Sequence, residues 1–336
     1  MTGKFDKILE NLNESVEILE NKRRSGTLLN EFELASVYTM RGFFYLQINM
    51  FEKSKIDFNN GIEIIEKAKK SSKQFDENEI AKAYAGRGIM YHVVGEFNKA
   101  LSDLSMSIKI WEDLQTSGKP INKKMLFDMY IMRGGTLNYT VNYMDKAILD
   151  YKKSIKIAED LKKEGKLFDE DGLGTAYMGI GQSCDQKEEF YEANKYYSKC
   201  IEIWEKLLNS GQELQDESNL ATVYMNIGAN HYSFGENDKA LLNYNKSINI
   251  IERLHKKRIK TDAYYVTMAY RNRALLYSIT GNKKAAINDD ITALRVLKEV
   301  LNERPELKEF YYDTISVVKE LIAGDKNYND ALKEFV

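Results

Sequence analysis

The chain has 336 residues, and its 49 Lys and Arg against 51 Asp and Glu leave a formal charge of −2, so it has no net field to gather nucleic acid or an anionic membrane surface. Two prolines leave little to break helices, and two cysteines and three histidines are too few and too scattered for a disulfide framework or a structural zinc site. The opening MTGKFDKILENLNESVEILE carries acids and asparagines where a secretory signal needs a continuous apolar run, and no stretch approaches a membrane span. A cytoplasmic, all-α protein is expected, and the Lys, Asn, Ile and Tyr bias points to a bacterial source.

Residues 4–24 have the phase of one amphipathic helix, with Leu12 and Ser15 in register with the repeats that follow, so residues 1–29 are expected to be an N-terminal capping half-repeat. From residue 30 the sequence repeats every 46 or 47 residues: about 30–75, 76–121, 122–168, 169–215, 216–261 and 262–307. Tyr38, Tyr84, Tyr130, Tyr177, Tyr224 and Tyr270 share one phase, and four residues on come Gly42, Gly88, Gly134, Gly181, Gly228 and Ala274. These mark a helix A that a neighbour approaches closely. Ser54, Ala100, Ala147, Ala193, Ala240 and Ala286 open a helix B, and Gly61, Ser107, Ser154, Cys200, Ser247 and Ala293 follow seven residues later. Apolar residues at helical spacing, such as Leu101, Leu104, Ile108, Trp111 and Leu114, give helix B a buried face.

Asn30, Asp76, Asn122, Asp169, Asp216 and Asp262 precede each helix A as N-caps, and Glu33 and Glu79 are spaced for a capping box. Gly26, Gly118, Gly165 and Gly211 follow helix B as left-handed caps, with Ser72 and Lys257 in place of glycine. After Pro305 a seventh helix A is expected near Tyr312 to Leu321, and Asn329, Asp330, Ala331 and Leu332 start its helix B, so residues 308–336 read as a C-terminal capping or truncated repeat.

These columns resemble the tetratricopeptide repeat family, which places an aromatic, a small residue, an aromatic, a turn glycine, an aromatic and an alanine in that order. Tyr84, Gly88, Tyr91, Gly95, Phe97 and Ala100 carry the pattern whole, and Tyr270, Ala274, Tyr277, Gly281 and Ala286 nearly so. The resemblance spans roughly residues 30–307, with repeats longer than the family's usual unit of about 34 residues. It implies an α-solenoid of antiparallel helix pairs in a right-handed superhelix, with helix A on the concave wall.

Arg41, Arg87, Arg133 and Arg273 precede the small column, and an arginine row suits phosphate or carboxylate readout. Asp57, Asp103, Asp150 and Asp289 appear in the same repeats, however, and where the arginine becomes Ile180 or Ile227 the aspartate becomes Tyr196 or Asn243. Arginine and aspartate come and go together, as an Arg–Asp bridge between helices A and B of one repeat requires. The basic run Arg253, His255, Lys256, Lys257, Arg258 and Lys260 matches cations near other helix-B ends, where the helix dipole favours them, so nucleic acid is not an expected partner.

Little points to chemistry. The segment DGLGTAYMGIGQ lacks the preceding strand of a nucleotide loop, and its Gly181 belongs to the small column. Cys184 and Cys200 read as packing residues. His92, His231 and His255 are dispersed without a ligand set, so neither catalysis nor a metal or other cofactor is expected. The expected function is a non-catalytic scaffold or adaptor that holds a protein or peptide segment in its concave groove; the alternative is a sensor or recognition domain of a larger protease, nuclease or kinase system. By phase, the groove residues are Phe43, Ile89, His92, Asn138, Met178, Gln182, Met225, Tyr232 and Arg271, with Met178 and Met225 as an adaptable floor. Asn226 and Asn272 are the nearest approach to the Lys and Asn clamp by which some family members grip a chaperone's C-terminal carboxylate.

Overall fold

The computed structural model describes residues 2–28, 30–70, 76–140, 142–166, 168–259, 261–321 and 335. Ser72, Lys260 and Asn329 to Leu332, which the sequence places in caps, the basic run and a seventh helix B, lie outside the described residues. Two compact units divide between Lys187 and Glu188. Unit 1 holds α1 (Thr2–Arg24), α2 (Glu31–Gln47), α3 (Phe51–Lys70), α4 (Glu77–Val93), α5 (Phe97–Thr116), α6 (Lys123–Asn138), α7 (Met144–Lys163) and α8 (Glu170–Gln186). Unit 2 holds α9 (Phe190–Asn209), α10 (Ser218–Ser233), α11 (Asn237–Lys256), α12 (Ala263–Ile279), α13 (Lys283–Val300), a 3-10 turn at Pro305–Leu307 and α14 (Lys308–Leu321). No strand occurs among the described residues.

Helices pack densest in consecutive pairs: α2 with α3, α4 with α5, α6 with α7, α10 with α11, and α12 with α13. Each pair is an A/B hairpin. Its A helix begins at a side-chain cap: Asn30, Asp76, Asn122, Asp169, Asp216 and Asp262 each accept from a backbone N–H two or three residues on. The capping box does not close at Glu79, whose carboxylate instead takes the Ser36 hydroxyl at 3.1 Å and Lys82 Nζ at 2.6 Å. After α11 the left-handed residue is Arg258, φ 58°, not Lys257; it occupies the position that Gly118, Gly165 and Gly211 hold after the other B helices. The final A helix starts at Lys308, earlier than Tyr312, because the turn at Pro305 leads straight into it.

The small column works by steric fit. A Cβ added at Gly42 would lie 2.9 Å from the Phe58 ring, and at Gly134 2.9 Å from the Tyr151 ring. Only glycine lets these helix-B rings press against the helix-A backbone. Ser54 Oγ donates to Gly42 O at 2.8 Å, which ties the same pair of helices. One column on, Ser107 Oγ reaches Ala81 O at 2.8 Å, whereas the buried Ser247 hydroxyl has no hydrogen-bond partner.

The four arginines do more than bridge a hairpin. Arg87 Nε and Nη2 fork onto Asp103 at 2.6 and 2.8 Å, while Nη1 donates to Asn59 at 2.7 Å, on helix B of the preceding repeat. Arg41 holds Asp57 and Asn13 in the same way, Arg133 holds Asp150 and Ser105, and Arg273 holds Asp289 and Asn245. Three helices meet on one guanidinium. In the two repeats without the arginine, the equivalent position carries Lys152 or Ser198. A second tie runs parallel: Tyr38, Tyr84, Tyr130, Tyr224 and Tyr270 each donate a hydroxyl hydrogen bond to a preceding helix-B glutamate, Glu20, Glu66, Glu112, Glu205 or Glu252.

Two stability measurements follow. Arg87→Ala strands the buried Asp103 and is expected to cost about 3 kcal/mol in urea unfolding, while Arg87→Ile with Asp103→Asn, the combination natural to the fifth repeat, recovers most of it; equal losses in both variants would exclude the ionic tie. Ser107→Ala is expected to cost about 1 kcal/mol through its lost bond, and Ser247→Ala to be neutral or stabilising.

Candidate partner-binding surface

In unit 1 the helix-A wall is largely committed to packing between repeats. The Phe43 ring stands edge-on to Phe58 with centroids 5.1 Å apart, and it covers Gly86 of α4, where an added Cβ would lie 2.9 Å from it. Ile89 packs on the same core. His92 Nδ1 meets Thr136 Oγ1 at 2.9 Å, its ring rests against Phe97 and Tyr139, and burial lowers its pKa, so it is held as a neutral spacer. Asn138 accepts from Ser183 Oγ at 2.7 Å and donates to Gly179 O at 3.4 Å. Met178 and Gln182 are half-buried on α8.

Unit 2 differs. Met225 is only 7 % exposed, wedged among Ala221, Ile251 and Val266, so it belongs to the core and not to an open floor; helix A also packs on its successor, which the one-face phase argument left out. Asn226 Nδ2 donates to Tyr197 Oη at 3.1 Å, and Tyr232 is half-buried. Arg271 and Asn272, in contrast, line a cleft of about 460 Å³ with Leu275, Phe310, Val317 and Asp290. Leu275 is 50 % exposed there.

The cleft has a definite origin. One helix-B column reads Phe58, Leu104, Tyr151, Tyr197 and Tyr244, and in the sixth repeat it becomes Asp290. The large side chains of this column fill the space between successive A helices: Tyr151 presses on both Gly134 and Gly179, and Phe58 on both Gly42 and Gly86. With aspartate there instead, the space under α14 stays open and is lined by a buried carboxylate. Asp290 is 2 % exposed, and its one ion pair among the described residues is to Arg271 Nε at 4.0 Å. Burial pushes its pKa up to about 7, with Arg271 opposing and Asp289 adding to the rise. Arg271 also lies 4.9 Å from the Phe310 ring centre. The break in the column was readable in the sequence.

Stacked antiparallel helix hairpins, each fitted through a small-residue column, define an all-α repeat protein of the α-solenoid class. The model of the tetratricopeptide repeat matches residues 174–205. The match supports a tetratricopeptide repeat in this stretch of the chain. Among solved structures it is similar to aspartyl phosphate phosphatase F from Bacillus subtilis, at 17% identity over 95% of this chain and 72% of that one, TM-score 0.58. It is similar as well to the quorum sensor NprR from B. thuringiensis, at 15% identity over 99% and 96% of the two chains, TM-score 0.53. A third similar structure is a signal transduction ATPase with a tetratricopeptide repeat sensor from Pyrococcus horikoshii, at 15% identity over 98% of this chain and 51% of that one, TM-score 0.58. At these identities the likeness shows the fold. No curated protein sequence matches the chain.

The raised Asp290 pKa fixes the sign of a pH effect. Below about pH 4 the carboxyl is protonated both folded and unfolded and its burial is neutral; as pH rises towards 7 the unfolded chain ionises first, and the folded state is penalised. Asp290→Asn is expected to match wild type near pH 4 and to exceed it in stability at pH 8. Trp204 fluorescence in a Trp111→Phe background reads unit 2 alone, and parallel curves from pH 4 to 8 would remove Asp290 as the cause.

Proposed function

We propose that the chain is a protein-interaction scaffold that holds a peptide or protein segment against its helix-A face, anchored in the Asp290 cleft. The observation that carries this reading is the cleft itself: an opening of about 460 Å³ on the helix-A side, bounded by exposed Leu275 and by Arg271, Asn272 and Ser278. Its chemistry follows from the column it interrupts. Where Tyr151 and Tyr244 pack elsewhere, a partner inserts a large side chain that carries a hydrogen-bond donor for Asp290.

The fold similarity to a quorum sensor and to a tetratricopeptide repeat sensor supports a binding role. The alternative, a sensor module of a larger effector, uses the same cleft to hold its signal, and the Pyrococcus structure favours it to that extent.

The test is peptide selection from a displayed random library on wild type and on Leu275→Glu, a substitution at a half-exposed position that leaves the core intact. The expected result is a consensus with one aromatic or basic anchor that binds wild type at least ten-fold tighter than the variant. Selected peptides that bind both equally would place the function away from this cleft.

A further inference from the structure

The opposite side of the sixth repeat carries a second cleft, on helix-B surfaces that the reading above does not use. In the third repeat Lys153 Nζ donates to Glu112 Oε1 at 2.8 Å and to Tyr130 Oη at 3.4 Å, and lies 5.1 Å from the Tyr130 ring centre. In the fifth, Lys246 Nζ lies 4.8 Å from the ring centre of Tyr224, whose hydroxyl donates to Glu205. A glutamate from the preceding helix B and a tyrosine from helix A thus form a niche for one ammonium group, which lies by the ring in both repeats and on the carboxylate in the third.

The sixth repeat keeps the niche and lacks its lysine. Tyr270 donates to Glu252 Oε1 at 3.3 Å, as its counterparts do, but the column that reads Lys153, Lys199 and Lys246 in the third to fifth repeats is Asn60 and Met106 in the first two and Thr292 in the sixth. A cleft of about 450 Å³ opens there between α11, α12 and α13, with Glu252, Tyr270 and Thr292 on its lining and Ile259, Val266 and Val296 as apolar walls. Glu252 is exposed, whereas Glu112, beneath Lys153, is half-buried.

We propose that this cleft binds a lysine side chain presented by a partner segment, seated as Lys153 is seated on Glu112 and Tyr130. The ammonium reaches Glu252 and the Tyr270 ring, and the apolar neighbours of that lysine rest on Ile259, Val266 and Val296. The rim adds its own selection. Lys256 and Arg295 flank the cleft with Glu299, so a polybasic tract is repelled and a single lysine among apolar residues is favoured.

The experiment is a methyl NMR titration of the full chain with a capped pentapeptide, one lysine between leucine and valine, against the same peptide with norleucine at the lysine position. The expected result is saturable movement of the Val266 and Val296 methyl signals by the lysine peptide at millimolar concentration, at least ten-fold weaker with norleucine. Thr292→Lys, which supplies from within the residue that three other repeats carry, abolishes the response. Glu252→Gln, at an exposed position, weakens it at least ten-fold, and Leu275→Glu leaves it unchanged, which separates this site from the helix-A cleft. No response up to millimolar peptide, an equal response to norleucine, or a response that survives Thr292→Lys or Glu252→Gln overturns the proposal.

Discussion

A guanidinium held between two helix-B acceptors sets the spacing of these repeats. Its forked pair to aspartate fixes helix A against its own helix B, and the remaining nitrogen reaches an Asn or Ser one repeat earlier, so the packing within a hairpin and between hairpins is set by one planar group. Lysine has no such fork. The tyrosine–glutamate ties add a second fixed point on the same helix, and with two points α2, α4, α6 and α12 are each constrained in rotation as well as in distance. The glycine column then becomes necessary, because a helix held this closely leaves no room for a Cβ against Phe58, Tyr151 or Tyr244.

Against that regular background the sixth repeat stands out by two exchanges on one helix. Asp290 replaces a large core side chain and opens the helix-A side; Thr292 stands where the three preceding repeats carry lysine and leaves the helix-B side open. Both clefts arise because a packing side chain is withheld, while the surrounding frame, including the Arg273–Asp289 pair, stays as in the other repeats. Rigid walls around a missing side chain make a preorganised site, since the frame has already met the ordering cost that a loop meets on binding.

The sequence was informative where a single repeat contains both partners. Arginine and aspartate could be matched because they vary together inside one unit, and the N-caps because each acts on its own helix. The third member of the tie, Asn13, Asn59, Ser105 or Asn245, escaped because it lies one repeat earlier, and of the two repeats without the arginine only one marks the loss there, with Lys152; the other keeps a serine, Ser198. The wall was read less well. Phase separates the face of helix A that meets helix B from the rest, but not the part of the rest that meets the next helix A, and Met225, Phe43 and His92 are taken up by that packing. The open positions were visible only as departures: an aspartate in a column of large side chains, a threonine after three successive lysines.

The three-membered tie also bears on how such a chain changes over generations. Losing the arginine leaves a buried aspartate unmatched, so a single substitution passes through a weakened protein, and exchange for the isoleucine version needs both partners changed together. Solvent-facing positions on the same helices carry no such penalty. Copies of the unit therefore diverge freely in what they display while the stacking surfaces stay interchangeable, and a duplicated unit meets neighbours it already fits.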